Sequence, residues 1–331
     1  MNEVAQLVRD QYQLDGDFTI LVGERDQNFL LHSDDGRRYV VKIANSAEPE
    51  IITDFQIQAL LHLENQGCAV AVPKIIRTSG GSATTSLLAE SAAHIVRIVS
   101  FLPGRPLGDC NNNVTLAGKL GACLAETDDA LCGFEHPGES QSLIWDMQCA
   151  SDLRSLVEFV PDAELRATVR ICLNDFEQNA VPRFATLRSQ IIHNDLNPGN
   201  VLVDEGEPPS VAGVIDFGDM LRAPLIVDVA IAASYMRSAD EDALEFLAPL
   251  VAGFNEITPL EQIEVELLYD LVRTRLVTTI VLMNWRLSAR PASDAYMKGV
   301  LNERSSEGFL ERLNALSRGR FSDRISDELG R

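Results

Sequence analysis

The chain has 331 residues, of which 46% are hydrophobic and 23% are charged. This length exceeds the size at which a single hydrophobic core keeps growing, so we expect two lobes with a cleft between them. The 28 Lys and Arg residues against 49 Asp and Glu residues give a formal net charge of -21, which repels phosphodiester backbones and argues against nucleic-acid binding. A cationic or amine-bearing small molecule fits this balance better, although acidic surfaces also serve solubility.

Cysteine spacing and hydropathy narrow the kind of protein that the sequence can encode. The six cysteines contain no C-x-x-C pair, so neither a zinc site nor a redox motif is predicted. The sequence has no apolar run of eighteen residues, and Met1-Asn2-Glu3-Val4 is not a basic segment followed by an apolar one, so neither a membrane span nor a signal peptide is expected. We therefore expect a cytoplasmic protein with reduced thiols and no membrane partner; the sequence does not predict an oligomeric state.

The first hundred residues carry short β-type runs separated by polar turns. Strands are predicted over 18–22, 28–32, 38–44, 86–90 and 93–102, the first three as an antiparallel meander. Apolar residues at helical spacing predict a helix over 50–65, ended by Gly67. The cluster Pro103-Gly104-Arg105-Pro106 is the best boundary signal in the sequence.

Beyond this boundary the periodicity is mainly helical. Helices are predicted over 114–128, 152–160, 163–179, 224–236, 241–254 and 259–285. Short strands are predicted over 191–193, 200–204 and 211–217, and the polar tail over 317–331 is predicted to fray. The sequence thus divides into a β-rich domain over 1–102 and a mainly helical domain over 103–331.

The strongest functional signal is a pair of motifs in the second domain. His193-Asn194-Asp195-Leu196-Asn197-Pro198-Gly199-Asn200 has the form H-x-D-x-x-x-x-N, and Asp216-Phe217-Gly218 follows a strand further along the chain. Each motif by itself is an ordinary turn, but their order and their position beside apolar strands are those of a kinase catalytic site. The predicted fold is therefore α+β and protein-kinase-like, with a small antiparallel β lobe and a larger, mainly helical lobe.

Phosphoryl transfer gives each of these residue types a task. Mg²⁺ prefers hard oxygen ligands, which Asn200 and Asp216 supply. Asp195 is placed to orient the acceptor hydroxyl and accept its proton, and is the predicted catalytic base. His193 is predicted to hold the loop through hydrogen bonds instead of taking part in the chemistry.

The β-rich domain is expected to bind the nucleotide phosphates. Lys42 stands among apolar neighbours in Val40-Val41-Lys42-Ile43 and resembles the strand lysine of kinases. Its acidic partner is predicted on the following helix, at Asp54 or Glu50. Gln27 and Asn28 end the turn where a phosphate-covering loop belongs, although this turn contains a single glycine. No P-loop or dinucleotide fingerprint occurs.

Taken together, these motifs resemble the aminoglycoside phosphotransferase and choline kinase superfamily, and within it the hydroxylysine kinases. The resemblance rests on the segments already quoted together with Phe101-Leu102-Pro103-Gly104-Arg105-Pro106 and Ile144-Trp145-Asp146. It implies a nucleoside triphosphate at a hinge that includes Ser100 and Phe101, and Mg²⁺ as the metal. It also implies 5-hydroxylysine as the acceptor, with ATP or GTP as the donor.

A diamine acceptor requires acidic side chains. Asp219, directly after Asp216-Phe217-Gly218, and Asp146, beside Trp145, are the predicted substrate contacts; both fit equally well as helix or turn caps. Asp228 is predicted to be a structural cap. Two enzymatic alternatives remain open, an aminoglycoside 3'-phosphotransferase-type resistance kinase and a homoserine- or choline-type kinase. A nucleotide-binding pseudokinase without turnover is the alternative outside the enzymes.

Overall fold

The computed structural model describes residues 1–23, 25–89, 92–111, 113–238, 242–289 and 305–330. The strands in these parts are β1 (Gly16–Leu21), β2 (Gln27–Ser33), β3 (Arg38–Ile43), β4 (Ile75–Ile76), β5 (Thr85–Ala89), β6 (Ala92–Ser100), β7 (Arg105–Pro106), β8 (Ser189–Ile192), β9 (Val201–Val203), β10 (Val211–Val214) and β11 (Leu221–Pro224). The α-helices are α1 (Asn2–Tyr12), α2 (Glu50–Gln66), α3 (Val114–Leu131), α4 (Ala163–Asn179), α5 (Leu225–Ser234), α6 (Leu247–Ile257), α7 (Gln262–Ala289), α8 (Ser305–Ala315) and α9 (Arg318–Glu328). The predicted α+β class is confirmed.

The N-terminal part is built on one antiparallel sheet with the order β1-β2-β3-β6-β4, in which β5 also pairs with β6. The predicted meander is confirmed, because β1 pairs with β2 and β2 pairs with β3 in antiparallel register. Asn28, Lys42 and Arg97 are direct cross-strand neighbours. Since side chains alternate along a strand, these three share one face of the sheet, whereas Phe29 and Val41 belong to the apolar cluster that includes α1.

The helix α2 begins and ends close to its predicted limits. Gly67 follows it with φ of 67°, a left-handed conformation that glycine adopts without steric cost. The sheet ends at Ser100, near the predicted boundary. The division into domains at residues 102 and 103 stays a prediction.

Helices and short sheets form the C-terminal part. The strands β7, β9 and β10 form one small sheet, and β8 pairs with β11 in another. The helices α3 and α6 approach so closely that a Cβ at Gly121 would lie 1.9 Å from the Leu250 carbonyl oxygen, and one at Gly253 would lie 2.0 Å from the Gly118 oxygen. Only glycine is compatible with backbones this close.

Several sequence predictions of structure need correction. The helix predicted over 152–160 is a 3-10 stretch at Met147–Phe159 with a kink at Cys149. The helix predicted over 241–254 begins at Leu247, and the first residue of that prediction lies outside the described residues. The prediction that the tail over 317–331 frays is wrong, because Phe321 and Ile325 of α9 are fully buried and hold this helix on the core. The helix α1 was not predicted, although Val4, Val8 and Tyr12 repeat at helical spacing.

No helix in the described ranges is both long enough and apolar enough to span a bilayer.

Candidate active site

The loop between β8 and β9 brings the predicted base Asp195 and the predicted metal ligand Asn200 into contact. The Asp195 carboxylate accepts hydrogen bonds from Asn197 Nδ2 at 2.9 Å and from Asn200 Nδ2 at 2.8 Å. Asn200 Nδ2 also lies 2.9 Å from the Asp195 carbonyl oxygen. This loop therefore fixes the orientation of Asp195 by two amide donors from its own sequence.

His193 supports the loop between β8 and β9 through two hydrogen bonds of its ring. Its Nε2 lies 3.1 Å from the Ile215 carbonyl oxygen and its Nδ1 lies 3.3 Å from the Asp195 backbone nitrogen. One neutral tautomer, protonated on Nε2, satisfies both contacts. Burial lowers the pKa of His193 and favours this neutral form. The ring is fully buried and packs edge-on to Phe217, which agrees with the predicted structural role.

Asp228, in the first turn of α5, holds the start of the same loop. Its carboxylate accepts from the backbone N–H groups of His193 and Asn194, both at 2.9 Å. Burial, followed by the charge of neighbouring Asp228, raises the pKa of Asp128 well above its ordinary value and so favours its protonated form. Asp228 is thus a structural residue, although it caps the catalytic loop and not its own helix.

Asp216 faces the cleft at the predicted metal position. It adopts the left-handed conformation with φ of 63°, which is uncommon outside glycine and is found at functional sites. Its Oδ1 lies 3.8 Å from Lys42 Nζ. Desolvation opposes ionisation of Asp216, but the positive charges of Lys42 and Arg25 lower its pKa below the ordinary value. Asp216 is therefore ionised and available to a cation.

These residues meet in one solvent-open cleft of about 630 Å³. Its lining residues are Val22, Gly23, Arg25, Asp26, Asn28, Lys42, Glu48, Gln56, Asp195, Asp216, Gly218 and Asp219. The cleft joins the sheet of the N-terminal part to the catalytic loop and the Asp216-Phe217-Gly218 turn of the C-terminal part. The sequence predicted Asn28, Lys42, Asp195, Asp216 and Asp219 as site residues, and all five lie here.

Asp216, which lines the cleft, and Asn200, which is bonded to the cleft residue Asp195, offer oxygen atoms that fit Mg²⁺. Within the described ranges, no group of three or more His, Cys, Asp or Glu side chains is arranged to hold a metal ion by itself. Mg²⁺ does not require one, because it is commonly held by one or two protein oxygens together with phosphates and water. Asn200 uses its Nδ2 for Asp195 and keeps its Oδ1 as an acceptor, and Asp216 supplies a carboxylate. These two residues would hold the ion.

The predicted pairing of Asp54 with Lys42 is wrong. The Asp54 carboxylate lies 3.1 Å from His136 Nε2 and is 52% exposed. Two residues along an α-helix differ by about 200° in direction, so Gln56 faces the cleft and Asp54 faces away from it. Among the residues that the structure describes, Lys42 has Asp216 as its carboxylate partner within 4 Å. Asp26 and Glu48 are acids of the N-terminal part that line the cleft.

Two arginines of the cleft region were missed by the sequence analysis. Arg25 pairs with Asp219 across the cleft. Arg97 is buried and donates to Asp26 at 3.0 Å and to Gln56 at 2.6 Å. A charged residue in the turn before β2 stands where a glycine-rich loop is otherwise expected, and that substitution is the signal that would have found Arg25.

The remaining nucleotide-site predictions are placed as follows. Gln27 is exposed at the start of β2 and does not line the cleft. The Ser100 hydroxyl accepts from the Lys74 backbone N–H at 2.9 Å, and the Phe101 ring lies 4.1 Å from the Arg38 guanidinium. Neither side chain lines the cleft, so a hinge contact by this segment stays a prediction.

Asp146 and Trp145 lie apart from the cleft. Asp146 accepts from the Gln148 backbone N–H at 2.8 Å and so caps the 3-10 stretch; it lines a separate pocket that is open to solvent. Trp145 packs against two arginines of α7, Arg275 at 5.0 Å and Arg286 at 5.3 Å from the ring centroid. Trp145 therefore connects to Asp195 through Arg275, whose Nη2 lies 3.5 Å from the Asp195 carboxylate.

The environment of Asp195 suits a general base. Burial raises its pKa to about 6, although the charge of Arg275 and the hydrogen bond from Asn197 act in the opposite direction. A carboxylate with this pKa is a stronger base than an exposed aspartate and is still ionised at neutral pH.

Known proteins resemble the chain in both sequence and fold. The hydroxylysine kinase of Mus musculus is 28% identical over 296 residues, which cover 82% of this chain and 78% of that protein. A microcompartment-associated aminopropanol kinase has a TM-score of 0.73 at 17% identity and covers 95% of this chain and 98% of its own. Spectinomycin phosphotransferase, in complex with ADP and spectinomycin, has a TM-score of 0.65 at 14% identity over 95% of this chain and 98% of its own.

The two solved structures show a protein-kinase-like fold, as predicted. The model of the phosphotransferase enzyme family (APH) matches residues 19–260, well over half of the chain, and the chain therefore belongs to this family and is a small-molecule kinase that transfers phosphate to a hydroxyl group.

Proposed function

We propose that this kinase transfers the γ-phosphoryl group of ATP or GTP to the side-chain hydroxyl of free 5-hydroxylysine, with Mg²⁺ as the metal. The observation that carries the proposal is the meeting of Lys42, Asp195 and Asp216 in one cleft of a chain that matches hydroxylysine kinases over 82% of its length. The six free thiols support a reducing, cytoplasmic location.

The chemistry assigns one task to each residue. Asp195 accepts the proton of the acceptor hydroxyl as its oxygen forms a bond to the γ-phosphorus, and the bond between that phosphorus and the bridging oxygen breaks to release the nucleoside diphosphate. Lys42 neutralises phosphate charge from the sheet side. Asn200 and Asp216 would hold Mg²⁺, which supplies electrostatic stabilisation of the phosphate oxygens when bound. Arg25 adds a further cation at the turn before β2.

The alternative acceptors are distinguished by the assay described below. The likeness to spectinomycin phosphotransferase and to the aminopropanol kinase supports the fold alone, because both are under 25% identical. The non-catalytic alternative is disfavoured, because the base, both metal ligands and the phosphate lysine are all present.

The test is a coupled assay of nucleoside diphosphate release with ATP and with GTP. The acceptors are 5-hydroxylysine, homoserine, choline, ethanolamine and kanamycin, and Asp195→Asn is the control. The proposal predicts turnover that is fastest with 5-hydroxylysine and lost in the variant. Turnover on kanamycin alone would assign a resistance kinase, and nucleotide binding without turnover on any acceptor would assign a pseudokinase.

A further inference from the structure

Two arginines of α7 meet at Trp145 in this strongly acidic chain, and one of them lies against the catalytic base. Arg275 contacts Asp195, stacks on Trp145 and lies 3.4 Å from the Tyr235 hydroxyl. Arg286 lies about three turns further along the same face of α7 and contacts the same Trp145 ring. A site that recognised only amines would place carboxylates here, since like charges repel the substrate.

Arg275 is buried and poorly satisfied. Its side chain is 2% exposed, yet its contacts to Asp195, Tyr235 and the Trp145 carbonyl oxygen are 3.4 to 3.5 Å long. Its Nε has no hydrogen-bond partner among the described residues. A buried guanidinium with an unpaired donor is costly unless a further acceptor completes its hydrogen bonds.

Other arginines of the chain show what a satisfied guanidinium looks like here. Arg188 makes two bonds of 2.8 Å to the carboxylate of Glu264, and Arg222 bonds Glu139 at 2.6 and 2.9 Å. Both are bidentate pairs, the geometry that the planar guanidinium favours. Arg275 has no such pair with Asp195, whose own short bonds come from Asn197 and Asn200.

We infer that Arg275 binds the carboxylate of the acceptor, so that the acceptor is a hydroxyl-bearing amino acid and not an amino alcohol or an aminoglycoside. This inference rests on the proposed function and names the group that selects the substrate. An acceptor whose hydroxyl lies at Asp195 places a carboxylate a short aliphatic segment away, within reach of the adjacent guanidinium. The Trp145 ring lies against the Arg275 guanidinium at 5.0 Å, and Arg286 places a second positive charge against the same ring.

The experiment compares two acceptors that differ only in the carboxylate, 5-hydroxylysine and its decarboxylated analogue 1,5-diaminopentan-2-ol. The wild-type enzyme is expected to prefer 5-hydroxylysine in kcat/KM by about 10- to 150-fold, the range for a hydrogen bond to a charged group. Arg275→Met, which keeps the volume of the side chain, is expected to bring this preference to near unity. Arg275→Lys keeps the charge without the bidentate fork and is expected to give an intermediate preference.

The control variant is Arg273→Gln on the same helix. Arg273 is also buried, but it bonds Asp175 and Asn314 on the opposite side. Its substitution is expected to change kcat/KM for both acceptors by the same factor. Assays are run well above pH 6, because removing the charge of Arg275 raises the pKa of Asp195 further. Thermal unfolding and nucleotide binding check that each variant is folded.

The outcomes separate this inference from the proposed function. An equal loss on both acceptors in Arg275→Met, or a wild-type enzyme that uses both equally well, overturns the carboxylate role and leaves the proposed function standing. A preference for homoserine over 3-aminopropan-1-ol that depends on Arg275, without turnover of 5-hydroxylysine, supports the inference and overturns the proposed acceptor. Turnover confined to kanamycin or choline overturns both.

Discussion

Because burial raises the pKa of Asp195, the pH dependence of the reaction tests whether this buried carboxylate is the catalytic base. Burial raises this pKa to about 6, and the base must be ionised to accept the hydroxyl proton. At pH 7 about 90% of the enzyme then carries the ionised base, and at pH 5 about 10% does. We expect kcat/KM for the acceptor to be level above pH 7 and to fall about tenfold per unit below pH 6.

A matched variant assigns this acidic limb to Asp195. Asn197→Ala removes the 2.9 Å hydrogen bond that stabilises the ionised carboxylate, so its pKa is expected to rise by about one unit. The acidic limb should move to higher pH by the same amount, whereas titration of the nucleotide phosphates is unaffected by the substitution. The measurement is kcat/KM from pH 5 to 9 at saturating nucleotide and metal, with both proteins checked for folding.

Two results would refute this reasoning. One is a wild-type limb near pH 4, the ordinary value for an exposed aspartate, because burial would then not govern the base. The other is a limb near pH 6 that stays in place in Asn197→Ala, because the titrating group would then not be Asp195.

Three further changes test the cleft and its supports. Lys42→Met should raise the KM for the nucleotide about 10- to 150-fold by removing a phosphate contact, whereas Lys74→Met, on the surface of the same part of the chain, should not; equal effects would argue against the phosphate role. The raised pKa of Asp128 means that this carboxyl stabilises the fold below about pH 4 and that the contribution is lost as pH rises. Between pH 4 and pH 8 the Tm of Asp128→Asn should therefore fall less than the Tm of the wild type. Curves of Tm against pH that run parallel for the two proteins would contradict the assignment. Glu264→Ala should lower the free energy of unfolding by about 3 kcal/mol, because Glu264 is fully buried and its loss removes the carboxylate partner of Arg188 and leaves that guanidinium only its bond to the Pro259 carbonyl oxygen; a denaturant titration showing less than about 1 kcal/mol would place the pair among ordinary surface bridges.

The parts of the site that the sequence predicts are the parts encoded over short distances. Asp195 and Asn200 lie five residues apart in one tight loop, so their spacing alone brings them together. Lys42 follows from strand alternation, which determines the face of the sheet. The fold class follows for the same reason, because hydrophobic periodicity and Pro/Gly punctuation are local signals.

The sequence predictions fail where tertiary packing determines which way a side chain faces. Asp54 and Gln56 lie on one predicted helix, and only the rotation of α2 against the sheet determines which of them faces the cleft. Arg275 is distant in sequence from Asp195 and is one of several arginines on a long helix, so no local signal marks it. The burial of Phe321 and Ile325 depends on a groove that other helices form.

The most direct measurement of the central claim is identification of the phosphorylated product by mass spectrometry and phosphorus NMR. Wild-type enzyme and Asp195→Asn are each incubated with 5-hydroxylysine, Mg²⁺ and either ATP or GTP. The account predicts that the wild-type enzyme forms a phosphate ester at the side-chain hydroxyl and that Asp195→Asn, although folded and able to bind nucleotide, forms none. A phosphorylated product made equally well by Asp195→Asn, or nucleoside diphosphate released without any phosphorylated acceptor, would contradict the account.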